Sequence, residues 1–501
     1  DGCIPMAYRN SQSAPITLLW HDYETTGLDK ARDRPMQFAG IRTDLDLNVI
    51  GEPVEAFCKL GPDVVPDPGA CLLTGISPLR CEREGLCEAD FARLIQDELG
   101  RPGTCGVGYN TMRFDDEFTR HLLFRTVQDP YEREWANGNS RWDIVELARA
   151  VYGLRPSVMS WPVDEEGRVS FRLEKLAEAN NLPKVRAHDA LSDVETTIAL
   201  ARLIRDRAPE LFHHHFNLRL KKNVISLIDF QEQKPLFHVS SLHGLVRGCV
   251  APVIPLAVHP DQPNVFIVFD LAADPAPLIG LPASEIADRV FRAEKGQRLP
   301  LTTIYANRAP LLLTPEQAKV AGVERLGIGF DKQVCGQNWK ALRQSAREIA
   351  AKVQQVYAEN GKTYVDSDPE LCLYSGFASN EDRRRFTRLK ALSPAQLAQE
   401  APEIRFDNPS YGELLFRHRA RNWPETLTSE ESSRWKDYMA DRLVSGGAIR
   451  GRTLEDFDKL MADWEAVPEH KDSPILADLR QWALQVRAQW VQPSTRPAPA
   501  P

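Results

Sequence analysis

The strongest constraint in this chain is an apolar-rich run, Ile16 to His21, that passes without a break into an alternating acidic pair, Asp22 and Glu24. Such a run reads as a buried strand, and the two-residue period of a strand puts Asp22 and Glu24 on the same face. Two carboxylates then converge at a strand end. Side by side in a partly desolvated cleft they repel each other, and a bare pair takes up a proton unless cations neutralise it. A hard divalent ion such as Mg²⁺ prefers octahedral oxygen coordination and is held by one or two carboxylates with substrate phosphates, so further acids are expected from elsewhere in the fold. Asp115, in RFDDE, and Asp193, in AHDALSD, are the candidates.

Asp115 follows the strand-like stretch Thr104 to Asn110 and opens an amphipathic run with Phe118, Leu122 and Leu123 on one side, which places it at a helix start. A second helix is expected from Ser192 to Ile204, where Val194, Ile198, Ala201 and Leu203 form an apolar stripe beginning beside Asp193. His188 precedes Asp193 by five residues. On one regular helix that separation aims two side chains roughly 140° apart, so His188 is expected on the preceding loop, facing the same cleft as Asp193. Each feature alone is ordinary: a solvated turn, a helix start with acids matching the dipole, a lone histidine. Their joint order is what points to a two-metal phosphodiesterase site.

The 501 residues, 43% of them hydrophobic, suffice for two to four domains with real cores. A net charge of −8 argues against a protein that coats nucleic acid generically. The nine cysteines lack paired metal-ligand spacing and read as reduced thiols. No run reaches membrane-spanning length, and no signal peptide is expected. To about Asp206, strand-like runs (Ile16 to His21, Met36 to Thr43, Val54 to Leu60, Thr104 to Tyr109) alternate with helix-like runs (Glu88 to Leu99, Asp115 to Phe124, Trp142 to Tyr152, Leu173 to Asn180), the signature of an α/β sheet domain. From Arg207 to Gln354 short strands are expected at Leu236 to Val239, Val253 to Val258 and Asn264 to Phe269, with helices near Ala283 to Glu294 and Trp339 to Val353. Beyond that, Glu381 to Leu392, Ala395 to Glu400, Tyr411 to Asn422, Ser429 to Leu443 and Leu454 to Trp464 are helical by periodicity.

The motifs HDYETTG, GYNTMRFDDEFTRH, SFRLEKLAEANN, AHDALSDVETTIAL and KPLFHVS resemble, at matching intervals, those of the exodeoxyribonuclease I family, DEDDh 3′→5′ exonucleases. The resemblance spans nearly the whole chain. It implies an α/β architecture: an RNase H-like (DnaQ-like) exonuclease domain with a mixed β-sheet over 1–206, an SH3-like β-barrel domain over 207–354, a helical C-terminal domain over 355–490 and a disordered tail over 491–501. It further implies Asp22, Glu24, Asp115 and Asp193 as ligands of two Mg²⁺ ions about 4 Å apart, replaceable by Mn²⁺, and His188 as the general base. Single-stranded DNA would be shortened from its 3′ end to 5′-mononucleotides, in repair and recombination, by a monomeric cytoplasmic enzyme associated with the bacterial nucleoid. The family also docks the acidic, Phe-ending tail of the single-stranded DNA-binding protein, and Arg155, Lys234, Lys319 and Arg343 fall where family basic residues serve that tail. His214 departs from this pattern, standing where an aromatic phenol is expected.

Strand contacts are expected from Tyr23, Thr25, Arg113, Phe114 and Arg172, since single strands favour cations for phosphates and aromatic faces for bases. Arg120, Arg141, Trp142 and Trp161 belong to the same mixture, and the basic stretches Arg219 to Lys222 and Arg383 to Arg385 read as strand contacts or solvated faces. Consecutive His213, His214 and His215 point different ways on a helix, so zinc is not expected there. Two alternatives share these residues. A DEDDh exoribonuclease has the same catalytic set, and a non-catalytic strand-binding scaffold would keep the fold with a retired site.

Overall fold

The computed structural model describes residues 14–183, 189–294, 296–320, 330–360 and 366–491. The first strand, β1 (Thr17–Thr25), is longer than its apolar run because the acidic pair lies within it. β2 (Pro35–Thr43) and β3 (Val54–Phe57) follow, then β4 (Thr104–Gly108) and β5 (Ser140–Asp143), in the order β3-β2-β1-β4-β5. β1 pairs antiparallel with β2 and parallel with β4, so the sheet is mixed and β1 is its middle strand. A middle strand covered on both faces must be apolar on both, which is why Leu18 to Trp20 run without a polar residue. The helices of this domain are α1 (Pro68–Thr74), α2 (Pro78–Glu84), α3 (Glu88–Leu99), α4 (Asp115–Arg125), α5 (Ile144–Leu154), α6 (Leu173–Ala179) and α7 (Ala190–Arg207). Leu18 and Trp20 pack with Leu147, Val151, Val194 and Ile198 of α5 and α7. Leu19 and Tyr23, on the other face, pack with Phe91, Ile95 and Leu122 of α3 and α4. Asp22 and Glu24 share the face of Trp20 and therefore look toward α7.

Trp142 corrects the sequence reading: it lies in β5, paired beside Val107, and is fully buried rather than starting a helix. The helix begins one residue after Asp143, whose carboxylate accepts from the Val145 N–H as its cap. The pair Trp142 and Asp143 thus ends a strand and starts a helix, a junction that periodicity cannot see.

The second sheet, β6 (Leu236–Val239), β7 (Val250–Val258), β8 (Val265–Asp270), β9 (Leu301–Tyr305) and β10 (Leu311–Leu313), is antiparallel in the order β10-β6-β7-β8-β9. Among the described residues β9 and β10 do not pair, so the expected barrel is a curled, open half-barrel. The helix expected over Trp339 to Val353 is two helices, Lys332–Gln344 and Ala346–Asn360, broken at Ser345. Val239, Val250, Leu311 and Leu313 share one core with Leu154 and Leu211, which fuses this sheet to the first domain.

Five of the C-terminal helices match expectation closely: Asn380–Lys390, Pro394–Glu400, Ser410–Asn422, Ser429–Val444 and Leu454–Glu465. A further helix, Pro474–Trp490, buries Leu476, Leu479 and Trp482 against α1 and α2 around Cys71 and Cys81. Residues 492–501, expected as a disordered tail, lie outside the described residues, as does His188. Among the described residues every cysteine is a free thiol, and no helix is long and apolar enough to cross a membrane.

Candidate active site

Strand alternation on β1 and the first turn of α7 bring carboxylate oxygens of Asp22, Glu24 and Asp193 within 4.8 Å of one another. Asp115 joins them from the start of α4, where its Oδ1 accepts from the backbone N–H of Tyr23 at 3.1 Å, between the two strand acids. Burial, reinforced by Asp115, Glu24 and Asp193, holds the Asp22 carboxyl well above the ordinary range. Glu24 is pushed up to about 8 by burial and then by Asp193 and Asp189. Burial and the adjacent Asp116 raise Asp115 likewise.

The contrast with Asp116 shows what this cluster lacks. Asp116 is equally buried, and burial alone would raise it, but Arg133 at 2.7 Å and Arg141 at 2.9 Å outweigh that and hold it ionised. Among the described residues no lysine or arginine makes an ion pair with Asp22, Glu24 or Asp115. Carboxylate oxygens packed this closely, with Asp22, Glu24 and Asp115 desolvated and making no ion pair to lysine or arginine among the described residues, fit hard divalent cations, which would remove the repulsion that now favours protonation.

The other expected residues divide. Tyr23 points to the opposite face of β1, is 3% exposed, and shares a hydrogen bond with Thr119 at 2.9 Å, so its side chain serves packing and the expected strand contact is corrected. Thr25 is buried and donates its hydroxyl to the Gly27 carbonyl at 2.8 Å, shaping the turn after the acids. Phe114 is half-buried against Phe118, with the Lys30 ammonium 5.8 Å from its ring centre. Arg113 is exposed beside Glu146 and lines a cavity of about 270 Å³ between the two sheets, together with Tyr305 and Arg308. Arg172 is exposed at the start of α6.

Arg120 and Arg141 are buried in ion pairs with Glu134 and serve as structural cations, while Arg383, Arg384 and Arg385 pair with Asp129, Glu381 and Asp382, Arg384 on an exposed face. Trp161 donates to the Pro156 carbonyl within an aromatic group with Tyr152 and Phe171. His214 and His215 bond separately to the carbonyls of Leu312 and Ala309. Sequence reasoning missed Asp189, which caps α7 and adds charge beside Glu24, and the turn carrying Leu28 and Lys30. Asp189 was within sight, directly after His188. Leu28 carried no periodic signal and is 79% exposed in the turn after β1.

A mixed sheet whose middle strand and flanking helices gather Asp22, Glu24, Asp115 and Asp193 has the architecture of a metal-dependent exonuclease, and the family model described as Exonuclease matches residues 19–201. The models for the Exonuclease I SH3-like domain and C-terminal domain match residues 219–359 and 367–486. Exodeoxyribonuclease I of Haemophilus influenzae is 41% identical over 429 residues, which cover 84% of this chain and 90% of that protein. The Escherichia coli protein of the same name is 41% identical over 433 residues, 86% of this chain and 90% of that protein. Among solved structures, exonuclease I of Methylocaldum szegediense is 42% identical with a TM-score of 0.85, covering 94% of this chain and 99% of that one. The E. coli exonuclease I complex with a 5cy-dT13 oligonucleotide has a TM-score of 0.83 at 36% identity, covering 95% of this chain and all of that one (100%). This chain belongs to the exodeoxyribonuclease I family, exonucleases that hydrolyse DNA.

Proposed function

We propose that this protein shortens single-stranded DNA from its 3′ end, releasing 5′-mononucleotides, with Mg²⁺ as the ion and Mn²⁺ able to replace it. The observation that carries the reading is the meeting of Asp22, Glu24 and Asp193 oxygens within 4.8 Å. Relatives solved in complex with 5cy-dT13 and dA16 oligonucleotides support a single strand as substrate. Asp22, Glu24, Asp115 and Asp193 hold the ions. When bound, two such ions supply Lewis-acid stabilisation of charge on the scissile phosphate and on the departing 3′ oxygen. His188 takes the proton of the attacking water, a role that rests on its place in AHDALSD. Arg113, Phe114 and Arg172 orient the strand, and Thr25 holds the turn beside it. The enzyme acts as a monomer in the bacterial cytoplasm, at the nucleoid, and its domains divide near residues 206 and 354.

The test is nucleotide release from 5′-labelled single-stranded DNA, duplex DNA and RNA, with Mg²⁺ or with EDTA. Mg²⁺-dependent shortening of single-stranded DNA that is lost in Asp22→Ala supports the reading. Faster shortening of RNA replaces it with an exoribonuclease, and tight binding without cleavage replaces it with a scaffold.

A second activity follows from a groove of about 350 Å³ lined by Phe237, Phe330, Lys319 and Trp339, with Arg343 packed 5.0 Å from the Trp339 ring centre. Lys234 is exposed next to Pro235 of the same lining. An apolar floor with cations at its edge suits a short acidic peptide ending in Phe, such as the tail of the single-stranded DNA-binding protein. A relative solved as an SSB/Exonuclease I complex supports that partner. Arg155, paired with Glu210 at 3.7 Å, is not part of the lining. Fluorescence anisotropy with the labelled tail peptide, comparing wild type with Lys319→Glu, checks the assignment.

A further inference from the structure

The turn that follows the acidic strand is built from both ends of the chain. Within it, Thr26 pairs backbone to backbone with Arg34, and the Asp33 carboxylate accepts from the Thr26 hydroxyl at 3.1 Å and the Asp29 N–H at 3.0 Å. Asp33 fills the turn so closely that a Cβ on Gly27 would lie 2.3 Å from its Oδ2. The turn is short and carries Leu28 and Lys30 outward. Its base is the β1–β2 pairing, whose register shifts between Glu24 and Thr25, one peptide from a metal-site carboxylate.

Three struts reach it from the helical domain. Arg452 donates to Asp33 Oδ1 at 3.2 Å, to the Val65 carbonyl at 2.7 Å and to Asp67 at 3.4 Å, and the Asp67 N–H in turn holds the Thr26 carbonyl at 2.8 Å. Arg32 donates to the Ile449 carbonyl at 2.7 Å. Arg34 is buried against Glu370 at 2.6 Å. The donor loop turns sharply and is tied back to its own helix. Gly446 and Gly447 have φ of 86° and 62°, Arg450 takes the left-handed region at 53°, and Arg442 donates to the Arg452 carbonyl at 3.0 Å.

We infer that the helical domain sets the geometry of the carboxylate cluster through this turn, with Arg452 as a positioning residue that acts on Glu24 by way of Asp33. The inference rests on the catalytic reading of that cluster. Groups that orient metal-site ligands from behind cost activity or metal affinity when removed.

The test uses the full chain and measures kcat, KM on single-stranded DNA and calorimetric Mn²⁺ binding without DNA. Arg452→Met is expected to lower kcat about tenfold and weaken Mn²⁺ binding, with KM changed by less than about twofold. Arg452→Lys, which keeps a donor, is expected to recover much of both. Arg32→Met, which removes a more exposed strut, serves if Arg452→Met does not fold, and is expected to show the same split at smaller size. Lys390→Gln breaks a 2.8 Å ion pair to Asp97 that joins the same two domains elsewhere, and is expected to leave kcat unchanged. Wild-type kcat and Mn²⁺ affinity in folded Arg452→Met, or an equal loss in Lys390→Gln, overturns the inference. Asp22→Ala separates the two levels: retained cleavage there removes the catalytic reading itself, whereas a dead Asp22→Ala beside a normal Arg452→Met removes only the positioning role.

Discussion

At the scale of single residues, chemistry separates carboxylates that look alike in sequence. Asp115 and Asp116 are neighbours and equally buried, yet one faces acids and the other two arginines. Asp22→Ala removes charge needed around the reacting phosphate, and turnover should fall by about two orders of magnitude or more. Strand binding in EDTA, followed by anisotropy, should survive that change. His188→Ala should likewise slow single-turnover cleavage while leaving strand affinity largely intact, and unchanged turnover would remove His188 from the mechanism. The four acids that the fold brings together, Asp22, Glu24, Asp115 and Asp193, could be singled out because each stands in a motif whose order is chemically unusual as a set. Tyr23, Arg120 and Arg141 were misread because sequence does not say which way a side chain points once its element is packed. Tyr23 is one residue from Asp22 and therefore on the other face.

Elements were read best where one periodicity governed them. Glu88–Leu99 has the bounds its apolar spacing predicts, since Phe91, Ala92, Ile95 and Leu99 bury one face. The reading failed where two elements abut, as at Trp142 and Asp143, and where strands are short, as at Leu311–Leu313. Such elements exist because the sheet supplies partners, which no local window contains. Close approach between elements gives a test. A Cβ at Gly153 of α5 would lie 2.2 Å from the Gly248 carbonyl, so backbone must shift to admit it. Gly153→Ala should destabilise the protein by about 1–3 kcal/mol, read as a lower Tm, despite the better helix propensity of alanine. A Tm equal to wild type would show that α5 and the β6–β7 loop are not held that closely in solution.

Across the whole molecule, the first and last thirds are joined by a buried charge network. Arg421 pairs with Asp63 at 2.7 Å and with Glu370, and Glu370 also meets Arg34 and Arg417. Burial alone would raise both carboxyls, but Arg421 and its neighbours hold Asp63 below and Glu370 well below the usual range. A carboxyl depressed in the folded state contributes stability that is present above its unfolded pKa of about 4 and is lost as pH falls toward the folded value. Thermal melts should therefore be flat in this contribution near neutrality and fall steeply below about pH 4. Glu370→Gln, which leaves arginines short of a partner, should cost about 3–5 kcal/mol at neutral pH and flatten that acid slope. An unaltered slope in Glu370→Gln would assign the acid loss to other carboxylates.

The sequence alone determined the class of chemistry and the order of the parts. Alternation along β1, an acid at the head of α4 and another at the head of α7 are local patterns, so the candidate acids could be picked out without a fold. Only the tertiary structure decided that these acids converge while Asp116 is neutralised, and that the half-barrel stays open. It alone put the turn after Glu24 against Arg452, whose partner Asp33 lies more than 400 residues earlier in the chain. Local patterns are set by the backbone's own periods of 2 and 3.6 residues. Charge compensation and bracing depend on which distant residues burial brings together, and that is a property of the packed molecule.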